Sequence, residues 1–310
     1  MLTAANPAIE HGGLVGESKW ELDALLRRGV AELLPATLLL PRSEPAADRI
    51  ARAEAFVRER GLGYPVVLKP DVGHRGLGVL VAREPAALRA RLERTQIDLL
   101  LQEYIGGTEY GVSYARRPGA RGRVTSICPK IPVVIEGDGR STLERLILDH
   151  PRAVCMAPVF LRRFQGRLSE VLARGQALPL GEIRAHSQGT VFHDGRALWT
   201  EALERAIDRV GQQTPGLCFG RFDVRAADDA ALSAGRFRII EFNGVTGEPG
   251  HIFGLGLVAA WRTMADHWAE AYAIGAENIR RGARPSRLAD VLRDVARHRG
   301  HAQQLRREME

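Results

Sequence analysis

Residues 66–82 read VVLKPDVGHRGLGVLVA. Side chains alternate along a strand, so Val66 and Leu68 face one way while Val67 and Lys69 face the other. A lysine whose strand neighbours are all apolar is costly to bury unless an anion meets its ammonium. Gly73, Gly76 and Gly78 then crowd together before the chain returns as a second strand, GVLVA. A Walker loop needs a lysine and a hydroxyl residue after its last glycine, and a Rossmann fingerprint needs a helix there. Residues 78–82 supply neither. The remaining design is a hairpin whose backbone amides approach phosphate oxygens closely and form a lid, with Gly73, Arg75, Gly76 and Gly78 as its candidate positions. The plain alternative is an ordinary glycine-rich turn.

Two later segments carry a second signal. In GRFDVR, Arg221, Asp223 and Arg225 share one face, with Phe222 and Val224 on the other. In RIIEFNG, Glu241 and Asn243 share a face opposite Ile240 and Phe242. If these strands pair, one sheet face is apolar and the other gathers two carboxylates, an amide and arginines. Hard oxygen ligands of this kind suit Mg²⁺ bound jointly by carboxylates and substrate phosphates. The competing reading is a solvent-facing polar side balanced by a salt bridge.

Composition narrows the field. With 310 residues the chain can bury a sizeable core, in one large domain or two packed ones. Its basic balance, +7, is spread along the chain. Aromatic residues do not interleave with a basic stripe, so nucleic acid is not an expected partner. Of 44 cationic residues only Lys19, Lys69 and Lys130 are lysines, and all three fall inside motifs. A compact ammonium with three turning donors suits a close phosphate oxygen in a narrow site better than a planar guanidinium. No apolar run reaches the roughly 18 residues of a spanning helix, and residues 1–13 lack a cationic segment followed by an apolar core. The expectation is a soluble, cytoplasmic protein with no membrane association. Cys128, Cys155 and Cys218 are unevenly spaced and read as reduced thiols. The histidines form no close pair at metal-ligand spacing.

Periodicity and turn signals predict a helix from Glu17 to about Arg28, capped by Ser18 and stopped by Gly29, then a strand over Thr37–Leu40. A second helix follows Ser43, and a third opens at Pro85. LLLQEY and EYGVSYA are strands on either side of a hinge-like IGGT turn, and RVTSIC and IPVVIE should continue that sheet. Ser141 with Glu144 suggests a capping box. Residues 158–181 read as helical and arginine-rich. A long helix carries Trp261 and Trp268, and a surface helix with a frayed basic tail follows a Pro/Gly linker at 281–285. Strands and helices without regular alternation argue for α+β, or mixed α/β with more than one sheet.

Taken together, these motifs resemble the ATP-grasp superfamily of carboxylate-amine ligases, which includes D-alanine:D-alanine ligase, and GDGRSTLERL is similar to a stretch of cyanophycin-synthetase-like members. The resemblance runs from about Gly16 to Gly250. It implies two α+β lobes clasping ATP; most of the superfamily has a substantial domain ahead of them, and this chain departs from that with little or no preceding Rossmann-like domain. The implied division is an N-terminal remnant and helix (1–40), a small lobe with the glycine hairpin (41–107), a large lobe with the metal site (108–282) and a C-terminal basic helix and tail (283–310). It places Lys19 of GESKWEL and Lys69 of VVLKP at the α- and β-phosphates. Gln102, Glu103 and Ile105 fall where the family seats adenine, and Glu109 where it holds the ribose hydroxyls. Asp223, Glu241 and Asn243 match the metal ligands, for Mg²⁺ or for Mn²⁺ in its stead. Arg221 matches the arginine facing the transferring phosphoryl group or the oxyanion, and Lys130 of CPKIPVV a γ-phosphate lysine.

The implied activity joins a small-molecule carboxylate to an amine through an acyl phosphate, releasing ADP and phosphate. Other ATP-grasp transfers, to a hydroxyl or a thiol, and a non-catalytic ATP-binding module are the rival classes. About forty residues precede the first lobe, so a partner protein or a homo-oligomer is the expected source of the missing acceptor surface. NGVTGEPGHIFGLGL lacks the aspartate and proline expected after His251, which reads as a turn residue before a catalytic base.

Overall fold

The computed structural model describes residues 1–309, with side chains through Arg306; residue 310, the end of the expected tail, lies outside the described residues. The first helix, α1 (Lys19–Val30), begins at Ser18, whose hydroxyl accepts from the Glu21 amide. It runs past Gly29 instead of stopping there. A methyl on Gly29 would lie 2.4 Å from the Gln213 carbonyl, so this glycine permits close packing between segments.

The small lobe follows: β1 (Thr37–Leu40), α2 (Ala46–Glu59), β2 (Val66–Pro70), β3 (Leu80–Ala82), α3 (Pro85–Arg94) and β4 (Leu99–Glu103). Its antiparallel sheet has the order β1-β4-β2-β3, so it takes in residues ahead of 41. Val66, Leu68, Leu99 and Leu101 bury one face under α2 and α3. Lys69 projects from the other, as alternation requires.

The large lobe is an antiparallel sheet in the order β11-β10-β5-β6-β9, built from β5 (Thr108–Ala115), β6 (Arg123–Ile131), β9 (Val191–Phe192), β10 (Phe219–Ala226) and β11 (Arg238–Asn243). Its apolar face carries Tyr110, Val112, Phe222, Val224 and Phe242, which pack on α1 and on α6 (Glu201–Gln213). The Tyr114 hydroxyl donates to Asp208 of α6 at 2.8 Å, so even the polar atom on this face is partnered. The opposite face is the polar one. A short helix, α7 (Asp229–Ser233), occupies the connection from β10 to β11.

Between β6 and β9 the chain departs from several expectations. IPVVIE does not extend the large sheet: β7 (Val134–Glu136) pairs with β8 (Ala177–Pro179) as a separate two-stranded sheet. Ile135 and Leu178 pack there with α4 (Leu143–Asp149) and α5 (Ala157–Arg163) in a core of their own. Thr142, not Ser141, caps α4, accepting from the Arg145 amide, while Ser141 bonds to Asp138. Residues 158–181 are helical only to Arg163: Phe164, Leu168, Val171 and Leu172 keep helical spacing, but the Leu168, Glu170 and Leu172 carbonyls accept from the Glu144, Leu143 and Gly139 amides instead of closing helical turns.

Two helices complete the chain, α8 (Leu257–Arg280) and α9 (Leu288–Met309). Among the described residues no helix is long and apolar enough to cross a membrane. On α8, His267 is buried with its ring 4.7 Å from that of Phe219. Burial, and then the Arg221 charge, push it down to about 4. An unfolded chain takes up this proton near 6.5, so the stability contributed by neutral His267 is full above that pH and is lost as pH falls toward 4, on the order of 3 kcal/mol in all. His267→Phe keeps a ring against Phe219 and removes the titration. Its stability relative to the parent should therefore rise between pH 7 and pH 4.5 in urea unfolding; a pH-independent difference would refute the assignment.

Candidate functional site

The two sheets face each other across a cleft of about 1140 Å³. Register builds its floor. Arg221 lies opposite Asn243, and Asp223 opposite Glu241, with a bulge after Asp223. On the other side of β10, Asp223 is opposite Gly111 and Arg225 opposite Glu109, which is itself opposite Lys130. Arg221, Asp223, Glu241, Asn243, Glu109 and Lys130 thus share the polar face. A methyl on Gly111 would lie 2.9 Å from Arg221 Cδ, so the glycine leaves room for the guanidinium to lie across the sheet.

Asp223 is the electrostatic centre of this face. Arg221 Nε donates to it at 2.8 Å, Lys130 Nζ lies 2.9 Å away, and the Asn243 amide donates at 3.2 Å. Burial raises the Asp223 carboxyl, but Arg221 and Lys130 outweigh it and hold the group at about 2. Burial works equally against the Lys130 ammonium, and Asp223 and Glu109 together keep it above the usual lysine range. Lys130 is therefore a buried cation seated between two carboxylates, Glu109 also at 2.9 Å. Arg225 holds the other oxygen of Glu109 at 3.2 Å.

Lys69 enters from β2. Its ammonium donates to Gln102 Oε1 and to the Ile240 carbonyl, both at 3.0 Å, and so bridges the lobes. Burial depresses it below the ordinary lysine value, with Glu241 the main opposing charge. Lys19, on the first turn of α1, donates to the Gly73 carbonyl at 2.6 Å and lies 3.5 Å from Glu241. Gln102, Glu103, Tyr104 and Ile105 line one end of the cleft. The Glu103 carboxylate is occupied by the Ala36 amide and Arg238, and the Ile105 carbonyl accepts from Arg225.

Over the cleft lies the hairpin. Gly76 and Gly78 have φ of 69° and 74°, and a methyl on Gly76 would stand 2.5 Å from Ile183. Left-handed backbone and this close approach together call for glycine. Ser187 donates to the Arg75 carbonyl at 2.9 Å, fastening the tip to the large lobe.

The donor set fits a hard divalent cation. Among the described residues Glu241 has a single ionic partner, Lys19. Asn243 spends its N–H on Asp223, which leaves its carbonyl oxygen available, and among the described residues Asp223 Oδ1 accepts only from Arg221. His251 is buried elsewhere, its Nδ1 2.7 Å from the Ser126 hydroxyl. One cleft residue escaped the sequence reading: Glu17, two before Lys19, is raised to about 7, chiefly by burial and with the Glu241 charge adding to it. The GESK stretch was its signal, but it drew attention to its lysine alone. The cationic residues of α9 in the cleft were missed as well.

Residues 24–112 match the RimK-like ATP-grasp domain family. Cyanophycin synthetase of Geminocystis herdmanii is 30% identical over 115 residues, covering 34% of this chain and 12% of that protein. A glutathione biosynthesis bifunctional protein of Enterococcus faecalis is 28% identical over 114 residues, 35% of this chain and 14% of its own. The match thus spans well under a fifth of either relative. Among solved structures, D-alanine–D-alanine ligase of Bacillus anthracis aligns over 85% of this chain and 67% of its own at 14% identity, TM-score 0.46. The stretch that matches the RimK-like ATP-grasp domain, residues 24–112, holds Lys69, the glycine hairpin and the inter-lobe turn.

Proposed function

We propose that the protein is an ATP-dependent ligase that activates a carboxylate as an acyl phosphate for attack by an amine, releasing ADP and phosphate. The observation that carries this reading is the β10–β11 face, where Arg221, Asp223, Glu241 and Asn243 confront Lys69 and the glycine hairpin across one cleft.

A carboxylate and a triphosphate repel, so a catalyst for their reaction must neutralise both and hold them in line; positioning and charge do most of the work. Lys19 and Lys69 would take the α- and β-phosphates, with hairpin amides above. The 102–105 segment would seat adenine and Glu109 the ribose. Mg²⁺ held by Asp223, Glu241 and Asn243 would draw charge from the phosphate oxygens. Arg221, fixed by Asp223, points a permanent cation at the transferring phosphoryl group. The hairpin, closed onto 181–190, excludes the water that would hydrolyse an acyl phosphate.

Mg-ATP binding and ADP release, measured against a panel of amino acids and small carboxylates singly and in pairs, test this. Release should require an acid and increase with an amine. In Lys69→Ala, nucleotide affinity should fall about tenfold to a hundredfold, the worth of a charge-assisted phosphate contact. Turnover on an acid without any amine would move the reading to a kinase, and unchanged affinity would remove Lys69 from the site.

A further inference from the structure

The last helix is not a free tail. Leu305 of α9 is 1% exposed and belongs to the small-lobe core. It also backs the hairpin: a methyl on Gly78 would lie 2.9 Å from its Cδ2, and one on Gly73 3.7 Å from its Cδ1. His301 donates from Nε2 to the Val72 carbonyl at 3.0 Å, where the hairpin begins. Farther back on the helix, Asp294 accepts from His11 Nε2 at 2.8 Å. His11 is part of the N-terminal segment, which lies against the end of β11: the Gly12 carbonyl accepts from the Val245 amide. The helix therefore straps the large lobe to the hairpin of the small one.

α9 turns Arg299 and Arg306 into the cleft, with His298 beside them. The His298 ring stands 6.3 Å from that of His74 on the hairpin. Lys19, Arg75 and Arg306 line the same cleft, and burial first, then the charges of Arg75, Lys19 and Arg306, hold His74 below its ordinary value. Among the described residues neither Arg75 nor Arg306 has a carboxylate partner. Arg75 and Arg306, without an acid to balance them, and Lys19, which shares only Glu241, form an incomplete charge set that a polyanion completes.

We propose that α9 is part of the polyphosphate site. Arg306 joins Lys19 and Arg75 on the phosphates held under the hairpin, and Leu305 sets the height of the hairpin above them. Docking of α9 and polyphosphate binding are then coupled: the ligand relieves the mutual repulsion of these cations and so favours the strapped state. This rests on the cleft being the ATP site. It differs from that reading in assigning binding residues to the C-terminal helix, outside the matched domain.

Calorimetric titration of the full chain with Mg-ATP, AMP and inorganic tripolyphosphate tests it, for the parent, Arg306→Ala, Arg306→Lys and Leu305→Ala. Arg306 is exposed, so its replacement leaves the fold intact. Arg306→Ala should weaken Mg-ATP and tripolyphosphate about tenfold or more and leave AMP within about twofold, because AMP lacks the phosphates concerned. Arg306→Lys should recover part of the loss. Leu305→Ala should show the same selectivity, and Mg-ATP should slow amide exchange over 294–306 in the parent more than in Arg306→Ala. Variants that bind Mg-ATP like the parent overturn the proposal alone, as do losses equal for AMP and ATP. A parent that binds tripolyphosphate but neither nucleotide would instead sink the ATP reading and leave the role of α9 standing.

Discussion

Asp223→Asn should remove turnover and also destabilise the fold, by about 3 kcal/mol, the scale for breaking a buried ion pair from one side. Asp223 is 5% exposed and is the shared partner of Arg221 and Lys130. An amide of the same shape leaves the Arg221 guanidinium without a counter-charge. Lys130 keeps only Glu109, for which Arg225 also competes. Turnover should fall about a thousandfold or more, since a metal contact and the orientation of Arg221 go together. Parallel urea unfolding and ADP-release assays read the two effects separately. A variant as stable as the parent would mean that the three charges are solvated and not mutually supported, and a stable, active variant would remove Asp223 from the site.

Asp223 was also legible in the amino-acid sequence. Period-two alternation places it with Glu241 on one face because an antiparallel pair has only two faces, and apolar Phe222, Val224 and Phe242 have to take the inner one. Ser18 was legible as a cap because its role is local. Gly29 was not: its signal is the same whether a helix ends or merely packs closely, and only the Gln213 carbonyl distinguishes the two. IPVVIE has strand composition in any sheet, and its pairing with β8 depends on a partner more than forty residues away. The lysine motifs raised the expectation of phosphate chemistry by residue type, yet Lys130 lies between carboxylates, a fact that belongs to register.

The C-terminal helix marks the limit most clearly. Leu288, Val291, Leu292, Val295 and Leu305 supply an apolar stripe, but a stripe does not say which surface it meets. Arginine-rich surroundings made a solvated face the simpler reading. Leu305 instead completes the small-lobe core beneath the hairpin, so burial of one side chain converts an amphipathic tail into a wall of the cleft.

Glu241→Gln separates chemistry from folding where Asp223→Asn cannot. Its side chain is 30% exposed, its one ionic partner among the described residues is Lys19 at 3.5 Å, and Ile239 and Phe242 on the same strand keep their core contacts whatever stands at 241. The pair is partly buried and Glu241 is also the main charge opposing the burial of Lys69, so the variant should lose about 1 kcal/mol, well short of the loss in Asp223→Asn. The carboxylate that the site offers most openly to a divalent ion is gone, however, and turnover should fall about a thousandfold while the chain still folds. Because the loss acts through the metal, the dependence of residual activity on Mg²⁺ should shift to higher concentration. Titrating Mg²⁺ against ADP release in parent and variant makes the distinction: a fall in rate with an unaltered Mg²⁺ midpoint would assign Glu241 to the substrate instead, and normal turnover would show that the β10–β11 face does not hold the metal.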